Sequence, residues 1–217
     1  MGLEVLRAGL QSTVQDQGRF GYAHLGVSAS GAADNFALRI GNILVGNPKQ
    51  SSGIEMTIIG DKYRFKSDAY IALTGSEFEA ELDNKPIPFW QGWSINKGQI
   101  LDIRSTKTGA RCYLCVAGGI NVEDVMGAKT THLTSGIGGL HGRILKKLDG
   151  LDFGTLDDSI NPVQKLNKSI TADNKIIRVT KGIQWLWFHK KQKNNFFQHQ
   201  YRVTDLSNRM GLRLIGN

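Results

Sequence analysis

From Thr57 to Val116 the sequence is a succession of short apolar runs, each stopped by turn residues, and that spacing favours a fold built from sheets. Tyr63-Arg64-Phe65 and Tyr70-Ile71-Ala72-Leu73 read as strands, with Thr74-Gly75-Ser76 as the turn after them. Phe78 to Leu82 alternates apolar and acidic residues, the pattern of a strand with one wet face, and Asp83-Asn84-Lys85-Pro86 closes a hairpin. Gln99 to Ile103 and Arg111 to Val116 continue the series, and Leu3 to Leu6 supplies a first strand. Twenty-six glycines against four prolines fit many tight turns. Strands so regularly spaced, with few helices, indicate a sandwich or barrel, so the chain is expected to be mainly β.

One segment departs from this pattern. Residues 12–22, STVQDQGRFGY, read as a loop that continues through Gly26-Val27 and Ser30-Gly31-Ala32-Ala33-Asp34 into a helix. Phe36, Ile40, Ile43 and Leu44 recur at helical spacing and predict its buried face, and Gly46 with Pro48 supplies a stop. A strand with a carboxylate inside it, Ile54-Glu55-Met56-Thr57, follows. The loop gathers Gln15, Asp16, Arg19, Tyr22, Ser28, Ser30 and Asp34 around glycines 18, 21, 26 and 31. A long loop that is neither low in complexity nor highly charged is usually functional. The free amides and positive dipole at the helix start favour an anion. Against this, Ser30 and Asp34 can simply cap the helix, and Asp16 and Arg19 can form a local ion pair. Glu55 either faces water or lies beneath the loop, where burial would suit it to carry a proton.

The remaining motifs bound the answer. Cys112 and Cys115 fall on one predicted strand, three apart, and so point to opposite faces as small core residues rather than metal ligands. The five histidines show no zinc spacing, and no metal is expected. The glycine-rich stretch from Thr134 to Arg143 can cradle an anion through its amides and Arg143, or be a solvated loop. It matches neither a phosphate-binding P-loop nor a dinucleotide fingerprint. The opening MGLEVLRAGL lacks a signal-peptide layout and no stretch is apolar enough to cross a bilayer, so a cytoplasmic protein is expected. Three parts are predicted: a β-rich domain over 1–160, a polar linker over 161–175, and the start of a second β domain over 176–217. A strand is expected at Ile176 to Val179 and another at Tyr201 to Val203, with no closing element after Leu214. Residues 161–217 carry 11 basic and 2 acidic side chains, a net of +9, against 16 basic and 17 acidic in residues 1–160.

Several ordered motifs together resemble the KipA-like family, which includes the C subunit of 5-oxoprolinase and the carboxyltransferase part of biotin-dependent urea carboxylase (allophanate hydrolase subunit 2 type). They are STVQDQGRFGY, GV-x-x-SGAAD (26–34), GN-x-LVGN (41–47), IE-x-T-x-x-G (54–60) and YLCVAGGI (113–120), followed by GG-x-x-GR (138–143), Gly182-x-Gln184 and SNRMG-x-RL (207–214). The chain departs from the family pattern at Ile183, where a proline is usual, and at Asn208, where an aspartate is. The family pattern continues with G-x-IQ-x-P and D-x-QTTGGY segments that have no counterpart here, so the second domain is expected to be incomplete.

The resemblance implies a cyclophilin-like β-barrel architecture. It implies one component of an ATP-dependent 5-oxoprolinase, which opens 5-oxo-L-proline to glutamate. Its partners would be the B subunit, which is KipI-like, and the A subunit, which is of LamB/YcsF type. ATP would be used through the assembled complex. Such chemistry needs a cation and fixed donors aimed at a developing oxyanion, and a carboxylate to handle a proton. Asp16, Arg19 and Glu55 are the catalytic candidates; Gln15, Tyr22, Ser30, Asp34, Thr57, Arg143 and Arg209 are the substrate-binding ones. The alternatives are a carboxyltransferase-type component of a urea or allophanate pathway, and a non-catalytic KipA-like regulatory module. Nucleic-acid binding by the basic tail, where Trp185, Trp187, Phe188, Phe196 and Phe197 alternate with lysines, is weighed below these.

Overall fold

A computed structural model describes residues 2–154, 166, 176–207 and 211–216. The chain divides into two compact units, residues 1–168 and 169–217.

In the first unit the strands run in order β1 (Leu3–Arg7), β2 (Gln11–Gln15), then helix α1 (Asn35–Leu44), β3 (Gly53–Thr57), β4 (Lys62–Phe65), β5 (Ala69–Gly75), β6 (Phe78–Leu82), β7 (Lys85–Pro86), β8 (Gly92–Ile95), β9 (Ile100–Thr106), β10 (Arg111–Val116), β11 (Ile120–Asn121) and β12 (Gly150–Phe153). They form a seven-stranded sheet, β11-β12-β1-β4-β9-β6-β7, and a five-stranded sheet, β2-β3-β10-β5-β8. Neighbouring strands pair antiparallel. The mainly β expectation is met, and the predicted strands at 3–6, 54–57, 63–65, 70–73, 78–82, 99–103 and 111–116 are all present within three residues at each end.

Both sheets turn apolar faces onto one core. Leu3, Val5, Tyr63, Phe65, Leu101 and Ile103 come from the larger sheet; Val14, Ile54, Met56, Ile71, Leu73 and Leu114 come from the smaller. Strand β10 is apolar from Cys112 onward because it is covered twice. Cys112, Leu114 and Val116 face the shared core, while Tyr113 and Cys115 face helix α1. The two cysteines therefore point to opposite faces and both are free thiols. Between β6 and β7, Asp83 and Asn84 take φ of 48° and 63°, the two-residue turn that matches the twist of a hairpin.

Two readings of the 12–57 segment are corrected. Residues 11–15 are a strand rather than part of a loop, paired with β3 along its length. Its Ser12, Thr13 and Gln15 are polar yet buried, so no apolar alternation marks it. The buried face of α1 is Ala37, Leu38, Gly41, Asn42 and Leu44, whereas Phe36 is 54% exposed. The reason is the short distance between helix and sheet. A Cβ at Gly41 would stand 2.6 Å from Cys115 Sγ and 2.9 Å from Thr74 Oγ1, so only glycine fits at the closest point, with Leu38 and Leu44 packed beside it and Phe36 turned aside.

The second unit holds a 3₁₀ turn (Ile183–Trp187), helix α2 (Lys190–Gln198) and an antiparallel pair, β13 (Tyr201–Val203) with β14 (Leu214–Gly216). The strand expected at Ile176 to Val179 is irregular backbone. Leu214 to Gly216 pair with the strand expected at Tyr201 to Val203. None of the unit's described residues is buried, and Trp187, Leu186, Ile177 and Ile183 are largely exposed. The linker prediction falls almost wholly outside the described residues.

Candidate functional site

The residues around β2 and the start of α1 form one hydrogen-bonded knot. Asp16, which follows β2 and is 8% exposed, takes amide protons from Gly18 (2.8 Å) and Lys129 (2.6 Å) on its two carboxylate oxygens. Its backbone carbonyl accepts from Ala32 N at 2.9 Å. The chain passes itself so closely here that only glycine fits. At φ of 108° and 88°, a Cβ on Gly18 would lie 2.9 Å from Ala29 O, and one on Gly31 2.8 Å from Gln17 O. Gln15 is used internally: Nε2 donates to Thr13 Oγ1 (3.0 Å) and Thr131 O (3.2 Å), and Oε1 accepts from Thr130 Oγ1.

Arg19 is 1% exposed. Its Nε donates to Val125 O (2.8 Å) and its Nη2 to Thr130 O (3.2 Å), while Nη1, also buried, has no hydrogen-bond partner. The guanidinium is thus a peg around which the 125–130 loop is folded, and Asp16 is held by amides rather than by this cation.

Glu55 lies under the loop, not in water: it is 1% exposed, and its Oε2 accepts from Ala33 N (2.8 Å) and from the Tyr113 hydroxyl (2.9 Å). Arg111 approaches its other oxygen at 3.7 Å and donates to Thr57 Oγ1 at 2.6 Å. Burial pushes the Tyr113 phenol well above its ordinary value, keeping it a neutral donor to Glu55 while its oxygen accepts from Asp34 N at 2.7 Å. Asp34 caps α1 by accepting from Ala37 N at 2.9 Å. The amides leading into the helix are therefore engaged by the chain's own groups, and Glu55 is the anion that occupies that end.

The other candidates are dispersed. Tyr22 is half-buried at the start of a short 3₁₀ turn, Ala23–Leu25. Ser30 sits in the left-handed region at φ 55° with a buried hydroxyl that has no partner. Arg143 is committed to a two-pronged pair with Asp149 at 2.7 and 2.9 Å, which raises the arginine and holds the Asp149 carboxyl below its ordinary value. Arg209 lies outside the described residues. Among the described residues no group of three or more His, Cys, Asp or Glu is placed to hold a metal, and no helix is long and apolar enough to cross a membrane.

Two concavities flank the 123–129 loop that Arg19 anchors. One, of about 290 Å³, is lined by Asp16 and Gly18 on one side, Ser51, Ser52 and Gly119 on another, and Asp124 and Lys129 on a third. It gathers two carboxylates, an ammonium and hydroxyls within a space suited to a small polar molecule. The other, of about 440 Å³, is lined by Asn121–Glu123, Val125 and the glycine loop Gly136–Gly142. Sequence reasoning missed Ser51, Asp124, Lys129 and the Thr130–Thr131 pair. They lie far along the chain from Asp16, and only the Thr-Thr pair beside a glycine-rich run hinted at a hub.

A family model described as the carboxyltransferase domain, subdomain A and B, matches residues 25–217. The C subunit of 5-oxoprolinase from Escherichia coli K12 is 39% identical over 99% of this chain and 68% of its own length. The urea amidolyase of Lachancea kluyveri is 32% identical over 98% of this chain, which spans 12% of that much longer protein. Among solved structures, the urea carboxylase of Kluyveromyces lactis superposes with a TM-score of 0.89 at 30% identity, covering all of this chain and 20% of the other.

Proposed function

This chain belongs to the carboxyltransferase subdomain A and B family, and from that premise we propose that it is one component of an ATP-dependent 5-oxoprolinase, opening 5-oxo-L-proline to glutamate together with partner subunits. The observation that carries the reading is the 39% identity to the C subunit of a 5-oxoprolinase over nearly the whole chain. In that reaction the lactam is activated by phosphorylation from ATP and water then opens the ring. The protein must position a small amide, hold charge that develops on its oxygen, and manage a proton.

The Asp16–Lys129 concavity supports this division of labour. Asp16 is fixed by two amides at the wall of the cavity, and in this reading its remaining lone pairs accept from the amide nitrogen of a bound lactam. Lys129 and the Ser51 hydroxyl supply donors for oxygen; the Ser52 hydroxyl is committed to Ile120 O. Arg19 lines neither concavity; it holds the wall that carries Asp124 and Lys129 in place. Glu55 acts through the Ala33–Asp34 segment, as a positioning residue. The partners in this reading are the KipI-like B subunit of the oxoprolinase and its LamB/YcsF-type A subunit, and ATP is used by the assembled complex in the cytoplasm. In this reading residues 1–160 form the domain that carries the site.

A second reading, carboxyl transfer in a urea pathway, is favoured by the likeness to the urea carboxylase structure. One assay separates them. With the partner subunits present, ADP release that depends on 5-oxoproline supports the first reading. Release that depends instead on urea, bicarbonate and a biotinylated carrier supports the second, and a stable complex with neither activity supports a regulatory module.

A further inference from the structure

The glycine loop plays no part in that reading. Gly138, Gly139, His141 and Gly142 all have positive φ, at 68°, 55°, 57° and 66°. Backbone of this kind turns successive N–H groups to one side and makes a concavity for anions. Four of the loop's amides are used within the fold: those of Gly136, Ile137, Gly139 and Gly142 donate to carbonyls of Leu133, His132, Lys129 and Gly138. The amides of Gly138, Leu140 and His141 donate to no group among the described residues.

Directly behind this loop lies the Arg19 guanidinium. Val125, whose carbonyl takes the Nε proton, lines the 440 Å³ cavity. A Cβ on Gly138 would stand 2.9 Å from Nη2, so one layer of backbone separates the cation from the cavity. Its Nη1 is fully buried and has no partner. In such a poorly solvated place the field of a guanidinium bound only to carbonyls is weakly screened, and it favours negative charge on the far side of the loop.

We propose that the cavity between Asn121–Val125 and Gly136–Gly142 is a binding site for a small oxyanion, a phosphate or carboxylate group, received by the amides of Gly138, Leu140 and His141 with the buried charge of Arg19 behind them. Glu123 stands on the rim and opposes an anion, but it is exposed and screened by solvent. Arg143 takes no part, being held by Asp149. The site stands independently of the oxoprolinase reading, since its observations are the loop and Arg19 alone.

The test is a titration of the intact chain, followed by amide NMR, with sodium phosphate and separately with sodium acetate at constant ionic strength. The expected result is saturable shifts at the amides of 138, 140 and 141 with at least one anion. His141→Asp, at an exposed position whose φ aspartate tolerates, places a like charge in the cavity and should weaken binding about tenfold or more. Arg19→Gln should weaken it as well; because that change also removes a loop anchor, His141→Asp is the deciding variant. Tighter phosphate binding identifies a phosphoryl ligand and tighter acetate binding a carboxylate. No saturable shift with either anion, or shifts that His141→Asp leaves unchanged, would overturn the proposal.

Discussion

Replacing Gly41 by alanine tests the packing that supports the whole site. On an exposed helix this change would stabilise by about 1 kcal/mol, because alanine forms helix better than glycine. Here the new methyl would lie 2.6 Å from Cys115 Sγ and 2.9 Å from Thr74 Oγ1, both inside van der Waals contact. Neither neighbour can swing away freely. Cys115 is wholly buried, and the Thr74 hydroxyl donates to Ala37 O at 2.8 Å, joining sheet to helix. Overpacking of this kind costs roughly 1–3 kcal/mol, more than the propensity gain offsets. Adding the steric conflict at the second neighbour, the net expectation is a loss of about 1–2 kcal/mol, or roughly 2–8 °C in Tm for a chain of this size. The helix would be pushed outward and would carry Ala33 and Asp34 away from Glu55 and Tyr113. Urea denaturation of wild type, Gly41→Ala, Cys115→Ala and the double variant forms a thermodynamic cycle. The double variant should recover part of the loss, since removing Sγ opens the space for the methyl. A neutral or stabilising Gly41→Ala, or a double variant that is purely additive, would refute the close-packing argument.

Three further outcomes follow from named contacts. Glu55→Gln trades a carboxylate that accepts two hydrogen bonds and faces Arg111 for an amide that must present a donor, and should cost about 1–3 kcal/mol in denaturant titrations while leaving the strands intact. Asp149 is held below its ordinary 3.8 by the hydrogen bonds from Arg143. A carboxyl depressed in the folded state contributes stability above its ordinary value and loses it as pH falls through the folded one. Arg143→Met should therefore cost about 1 kcal/mol at neutral pH and nothing in strong acid, measured by unfolding across pH. Burial pushes both cysteine thiols up, Cys112 well above its ordinary value. Thiol reagents should accordingly label Cys112 and Cys115 only as fast as the protein unfolds, and prompt labelling of the native chain would contradict their placement.

What the sequence made legible follows from how each element is stabilised. Strands such as β6 and β10 carry their environment in their residues, alternating where one face is wet and continuously apolar where both are covered. Strand β2 does not, because its buried polar side chains are satisfied by hydrogen bonds to Asp61, Thr130 and Thr131, residues remote in the chain. Periodicity placed the inward face of α1 only in part: Leu44 is fully buried and Ile40 and Ile43 are half-buried, but Phe36 is exposed. It weighs residue size and apolarity, while a helix seated this close to a sheet selects glycine at the closest point. The site was legible in part. Asp16, Arg19 and Glu55 each bind backbone groups of the neighbouring loops, Asp16 at the wall of a concavity and the other two within the fold. Arg143 looked free because its partner Asp149 lies six residues further on, across a turn that composition does not reveal.

The central claim, that the Asp16–Lys129 concavity is where the amide is handled, is tested most directly by 5-oxoproline-dependent ADP release from the complex reconstituted with Asp16→Asn and, separately, with the exposed Asp124→Asn. The account predicts that Asp16→Asn lowers turnover by about 10²-fold or more, as loss of a positioned proton acceptor does, with complex formation preserved, and that Asp124→Asn raises KM. Wild-type turnover in both variants, with the complex intact, would contradict it.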